Sequence, residues 1–404
     1  MLFLTNRFFD LKNLLNPFVF FYLYQTVFCF IALSYHDKYS IEISDELEIF
    51  IVVAYFLTFL GAFISRYLFQ RAGITYVRYN DIFIQKRPSS AFLNAGVLLF
   101  LLALGVFLYF TVKTGGPIIF GDEIENARIE KRKGAGMLNV IFISFFLYSY
   151  LVLLLSKKLS TGIKFLIFLV VAFALLSFGS RAPMIKLMLA IFLLVGILSK
   201  KKITISKYVW IGSLALVLVI VLGAFRTNLK EGVEFMDLVI ARAGWRPFVN
   251  IQNLQRIMDF FPEKNPYLYG ESYLIDLKIF LPGSNPNFGS HLKDIMNWKF
   301  DGGSITPTFL GIGYINFGRI AFIVYPLLFG FWFNTIYQLM CYMPALNNFK
   351  IIFLILFSIG ISGALSTGLL PALIANTLFL VFTIATHIFL KQVISKTPSI
   401  FRID

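Results

Sequence analysis

A chain of 404 residues that is 58% hydrophobic and 14% charged, with a mean hydropathy of +0.79, is too apolar for a water-soluble globular domain. The net charge of +15 comes without a soluble basic domain or basic stripe, which argues against a nucleic-acid partner. The 48 Phe residues follow no period of two, which argues against a transmembrane barrel, so the expected class is all-α.

Apolar runs long enough to cross a bilayer lie at 17–35, 47–68, 91–112, 137–156, 162–178, 183–199, 208–224, 319–342, 351–368 and 370–390. They predict a polytopic membrane protein of about ten transmembrane helices, forming a single membrane domain over 1–404. The first run is longer and more aromatic than a signal peptide and is expected to stay as an anchor. Cys29 and Cys341 fall within such runs, where packing is their expected role.

Lys and Arg are retained by cytoplasmic loops, and their distribution here is one-sided. With the N-terminus and C-terminus cytoplasmic, eighteen bases face three acids on that side, which accounts for the whole net charge. Basic and acidic residues on the other side then cancel. Three extracytoplasmic segments follow: an acidic one at 35–46, a second outer loop at 113–136, and a large outer loop at 225–304.

In the second loop, Gly115-Gly116-Pro117 predicts a turn. Acidic Asp122, Glu123 and Glu125 then precede basic Arg128, Lys131, Arg132 and Lys133. That order suits either a helix oriented with its dipole or an anion-binding surface.

The large loop opens with Val233, Leu238 and Val239, then Phe248, Ile251, Leu254, Ile257 and Met258, a spacing that predicts short amphipathic helices. A kink or break is expected near Gly244 to Pro247, because proline lacks the amide an interior turn needs. From Phe261 to Gly303 the Pro, Gly and Asn content predicts an irregular folded cap.

Arginine carries the chemical signal, since its planar, permanently charged guanidinium grips phosphate through two hydrogen bonds. Arg181 stands in the hairpin Phe178-Gly179-Ser180-Arg181-Ala182-Pro183, and Arg226 follows the run ending at Phe225. Each alone could be snorkelling to the interface. Arg242 and Arg246 are one helical turn apart, and an unbroken helix would add Arg256 to their face. His291 is the lone histidine of the large loop, a surface residue or a general base; His36 and His387 are isolated. No residue set has metal-ligand spacing, so no metal and no cofactor are expected.

The stretch from Pro307 to Arg319 combines Gly311, Gly313 and Gly318 with Tyr314 and Asn316. Its glycines would permit close helix packing, while Tyr314 and Asn316 could line a polar cavity.

Taken together, the many spans, the large loop in the second half, Gly179-Ser180-Arg181 at a hairpin and Tyr314-Ile315-Asn316-Phe317-Gly318 before a span resemble the Wzy-type O-antigen polymerases, or oligosaccharide repeat unit polymerases. The resemblance implies a glycosyltransferase of the bacterial inner membrane that joins repeat units on the periplasmic side. It implies an undecaprenyl-pyrophosphate-linked glycan as donor. Membrane lipids, a chain-length regulator and a flippase of the same pathway are implied as partners. Some members carry Arg followed eleven positions later by Gly in outer loops; no arginine of the large loop here has that partner.

On this reading Arg181, Arg226, Arg246 and His291 are the catalytic candidates. Arg128, Arg242, Arg256, Tyr314 and Asn316 are the substrate-binding ones. Fixed positive charge would stabilise a departing lipid pyrophosphate. Asp122, Glu123, Glu231 and His291 are candidates for the base that accepts the acceptor's proton. Two alternatives stay open: a lipid-linked glycan flippase or transporter, which would be expected to carry charges inside its spans, and an O-antigen ligase, which would share these arginines.

Overall fold

The computed structural model describes residues 16–34, 43–73, 90–113, 116–117, 136–177, 182–198, 235–278, 281, 288–298, 304–342 and 347–363, with 385, 388 and 392. Among these the chain is 85% helical and contains no strand. The run at 208–224, most of the run at 370–390 and most of the 113–136 loop lie outside the described residues.

The helices are α1 (Pro17–Ser34), α2 (Asp45–Arg71), α3 (Ser90–Lys113), α4 (Gly136–Leu155), α5 (Thr161–Leu176) and α6 (Ala182–Leu198). After them come α7 (Phe235–Phe260), α8 (Glu271–Lys278), α9 (Phe288–Ile295), α10 (Thr308–Phe317), α11 (Ala321–Tyr342) and α12 (Asn347–Ser362). Three stretches are long and apolar enough to cross a membrane: Asp45–Arg71, Phe92–Lys113 and the α10–α11 stretch Thr308–Met340. Shorter apolar helices run over Ile141–Leu155, Thr161–Leu176, Ala182–Ile197 and Lys350–Ile361.

In lipid, apolar area alone does not drive helices together, and close backbone approach and polar pairs do more of the work. The α2–α11 pair shows this. A Cβ on Gly61 would overlap the Leu327 carbonyl, and one on Gly330 would overlap that of Thr58, so two glycines let the helices meet backbone to backbone. Beside them Asn334 donates to the Ala62 carbonyl and the Ser65 hydroxyl, each at 3.2 Å, and Ser65 bonds Thr335 at 2.9 Å. Asn16, ahead of α1, donates to the Asn334 Oδ1 at 3.2 Å.

Aromatic rings fill the interior. Phe21 of α1 meets Phe309 of α10 edge-on at 5.7 Å and Phe333 of α11 at 5.3 Å, and all three are buried. Across α3 and α4, Phe100 meets Phe146 and Phe107 meets Phe142. Gly96 lets α3 settle against Val152 of α4.

Two expectations are corrected here. α7 does not break at Pro247 but runs unbroken over 26 residues. The missing amide costs about 3 kcal/mol. The buried Phe248, Ile251, Leu254 and Ile257 that follow it return roughly 1.5–3 kcal/mol each in the core against α1 and α10. The segment expected to be wholly irregular contains α8 and α9, eight residues each.

Candidate functional site

The polar groups that the fold gathers lie where α7 ends, beside a cap whose described residues are 261–278, 281, 288–298 and 304–307. α7 carries a run of buried polar side chains, Asn250, Gln252, Asn253 and Gln255, which lipid or core would penalise unless bonded. Asn253 donates to the Thr306 hydroxyl at 3.0 Å, and that hydroxyl donates to Asn250 Oδ1 at 2.7 Å. The Gln255 Oε1 accepts from the Ser44 amide and hydroxyl at 3.0 and 2.9 Å, while Ser44 caps the start of α2 through the Leu47 amide. These bonds fix α7 to the chain entering α2 and to the chain entering α10.

The entry to α10 is strained. Thr308 has φ of 63°, a left-handed value that costs a β-branched residue about 1–3 kcal/mol. Its hydroxyl accepts the Gly311 amide at 3.1 Å, which caps the helix. Gly311 then packs against Ile257 and Leu254 of α7, and Gly313 against Ala321 and Tyr325.

At its other end α10 grips the cap. The Leu268 amide donates to the Ile315 carbonyl at 2.9 Å, and the Gly270 amide to Asn316 Oδ1 at 2.8 Å. The Asn316 amide donates to the Ser272 hydroxyl at 2.6 Å and to the Ile312 carbonyl at 2.7 Å. Tyr314 donates to the Phe261 carbonyl at 3.1 Å. Gly318 turns the chain out of α10 with φ of 64°, and a Cβ there would stand 2.8 Å from the Tyr267 hydroxyl. Arg319 follows at once, 71% exposed, and its Nε meets Glu46 Oε1 at 2.7 Å.

Two charged groups stand out, one at the end of α7 and one in the cap. Arg256 lies over the Trp298 ring, 4.8 Å from its centroid, so the side chain of this exposed residue has a flat apolar support. Asp276 of α8 is 2% exposed. Its Oδ1 accepts the Phe288 amide at 3.0 Å, which ties α8 to the start of α9, while Oδ2 has no partner. Burial pushes this carboxyl up to about 6, against the smaller lowering effect of the Phe288 amide. Among the described residues, no group of three or more His, Cys, Asp or Glu could hold a metal ion.

A family model described as "Putative O-antigen polymerase" matches residues 13–382. The chain belongs to the O-antigen polymerase family. It is a membrane protein whose family implies a polymerase of glycosyltransferase type. No curated protein and no solved structure matches it.

Of the residues named from sequence for this polymerase, Arg128, Arg181 and Arg226 lie outside the described residues, as do Asp122, Glu123 and Glu231. Arg242 and Arg246 belong to α7, and its unbroken register puts positions 242, 246 and 256 within one stripe. His291 is half-buried on α9, whose C-terminal turn leads to the Trp298 that supports Arg256.

For the stretch that carries Tyr314 and Asn316 the sequence left both close helix packing and a polar cavity open; the two side chains are buried, and the hydrogen bonds just described tie them to Phe261, Gly270 and Ser272. Sequence reasoning missed Asp276, Trp298 and the Asn250–Asn253–Thr306 set. Only the last left a trace, as the polar repeat Asn250-Ile251-Gln252-Asn253-Leu254-Gln255 within an otherwise apolar face.

Proposed function

We infer that the chain polymerises oligosaccharide repeat units carried on undecaprenyl pyrophosphate, by glycosyl transfer on the periplasmic side of the bacterial inner membrane. In this reading about ten helices cross the membrane, both termini are cytoplasmic, and the loops at 113–136 and 225–304 face the periplasm. The positive-inside distribution of Lys and Arg supports that orientation.

The observation that carries the reading is the continuity of α7 through Pro247, which sets Arg242, Arg246 and Arg256 in one stripe leading to the cap. The reaction separates a lipid pyrophosphate from an anomeric carbon, so negative charge grows on the leaving oxygen. Guanidinium groups held in place stabilise that charge without reorganising. In this scheme Arg181, Arg226 and Arg246 meet the pyrophosphate, while Arg128, Arg242 and Arg256 bind the glycan carrier.

The acceptor hydroxyl attacks the anomeric carbon as the carbon–oxygen bond to pyrophosphate breaks, and its proton passes to a base, for which His291 is the candidate in the cap. Tyr314 and Asn316 act as positioning residues beneath the cap. The test is polysaccharide chain length in cells. Arg181→Ala, Arg226→Ala and Arg246→Ala each leave the protein inserted and abundant while long chains disappear. Wild-type chain length in all three variants would refute the assignment.

A further inference from the structure

Outside the arginine stripe, a cavity of about 590 Å³ lies on the flank of α10 and α11, lined by Tyr273, Phe317, Ile320, Val324, Tyr325 and Leu328 among others. Its walls are almost wholly apolar. The Tyr273 and Tyr325 hydroxyls are hydrogen-bonded to each other, so the polar atoms of both rings have a partner. From Ala321 to Leu328 the groove follows α11 for about 10 Å, at 1.5 Å per residue.

The two ends of this groove differ. Toward Leu328 it lies along a helix apolar enough to cross a membrane. At its other end the lining reaches Ile320, the residue after Arg319, whose side chain is 71% exposed and pairs with Glu46. Tyr273 belongs to α8, so the cap itself forms part of the wall, and the Asn316–Ser272 bond sits one residue from it. An occupant with a long apolar body and an anionic head matches both ends: the body along α11, the head at Arg319, and the group beyond it under the cap.

We propose that this groove holds the isoprenoid chain of a lipid-linked substrate, with Arg319 meeting its phosphate. The proposal rests on the polymerase reading above and adds a place for the carrier. A methyl-branched, unsaturated chain suits walls built from aromatic faces and β-branched side chains, whereas a uniformly lipid-facing helix would offer ridges without a hollow. Exchange of Glu46 for phosphate at Arg319 replaces one anion by another, so the guanidinium keeps a partner throughout.

The test uses the full-length protein in nanodiscs and a polyprenyl phosphate carrying a photoreactive diazirine near its head. The expected result is labelling of the 317–328 peptide, displaced by unlabelled polyprenyl phosphate but not by an equal excess of phospholipid. Val324→Trp, which fills the groove, and Ile320→Trp, at a position 59% exposed, each cut labelling at least fivefold. Ile323→Trp, on a neighbouring position 52% exposed and outside the lining, leaves it unchanged.

In a polymerisation assay, Val324→Trp raises KM for a long-chain donor about tenfold with little change in kcat, and leaves a donor with a two-isoprene tail unaffected. Labelling displaced equally by phospholipid, in a protein that still polymerises, overturns the groove and spares the polymerase reading. Specific labelling in a protein that fails to elongate glycan supports the groove and overturns that reading instead.

Discussion

Asn316 in the last turn of α10 donates to the hydroxyl of Ser272 in the first turn of α8 across 2.6 Å, and neither residue is exposed. One side chain thus joins an apolar helix of the bundle to the cap that covers the candidate site. Its remaining hydrogen bonds, from Gly270 and to Ile312, leave the amide fully used.

Replacement of Asn316 by Ala strands the Gly270 amide and the Ser272 hydroxyl. A buried polar group without a partner costs about 1–3 kcal/mol. Ser272→Ala is milder, at about 1 kcal/mol, because the Asn316 amide keeps the Ile312 carbonyl. Hydrogen exchange over 267–276 measures both: Asn316→Ala accelerates it strongly, Ser272→Ala less so, and the α2–α11 pair keeps its protection in both.

Gly330 allows α11 to touch the backbone of α2 at Thr58. Gly330→Leu forces the helices apart, and overpacking of this kind costs about 1–3 kcal/mol or more. The Asn334–Ser65 and Ser65–Thr335 bonds lengthen with it. The expected outcome is a lower thermal midpoint in detergent and loss of protection in both helices. An unchanged midpoint would show that the pair does not meet at these glycines.

Asp276 makes the cap sensitive to pH. Its folded value, near 6, stands above the ordinary 3.8, so folding takes up a proton between the two. The carboxyl therefore favours the folded cap most below about pH 4, and this contribution fades as pH rises through 6. Asp276→Asn keeps an acceptor for the Phe288 amide and removes the titration. Proteolysis of the cap from pH 4 to 7 should quicken with rising pH in the wild type and change little in the variant.

Helices were legible where the sequence is a long apolar run: α1 to α6, α11 and α12 fall on eight of those ten runs, and three stretches among them are long and apolar enough to cross a membrane. The close packing at Gly311 and Gly313 was legible for the same reason: small residues at helical spacing signal backbone approach. Pro247 misled because its local cost is visible in sequence, whereas the burial of Phe248, Ile251, Leu254 and Ile257 that outweighs it is tertiary.

α8 and α9 were hidden because eight-residue helices have little stability of their own and form on contacts made elsewhere in the chain. Asp276 was hidden likewise, since nothing local distinguishes a buried carboxyl from an exposed one. Trp298 reads as a loop tryptophan until Arg256 is seen above it.

The most direct measurement is made with purified protein reconstituted in liposomes and supplied with a synthetic repeat unit on a long-chain polyprenyl diphosphate. The account predicts a ladder of glycans, each step longer by one repeat, with one lipid diphosphate released per bond formed. It predicts loss of the ladder in Arg246→Ala with the protein intact. Movement of the lipid-linked unit across the bilayer with no product longer than the starting unit would contradict it.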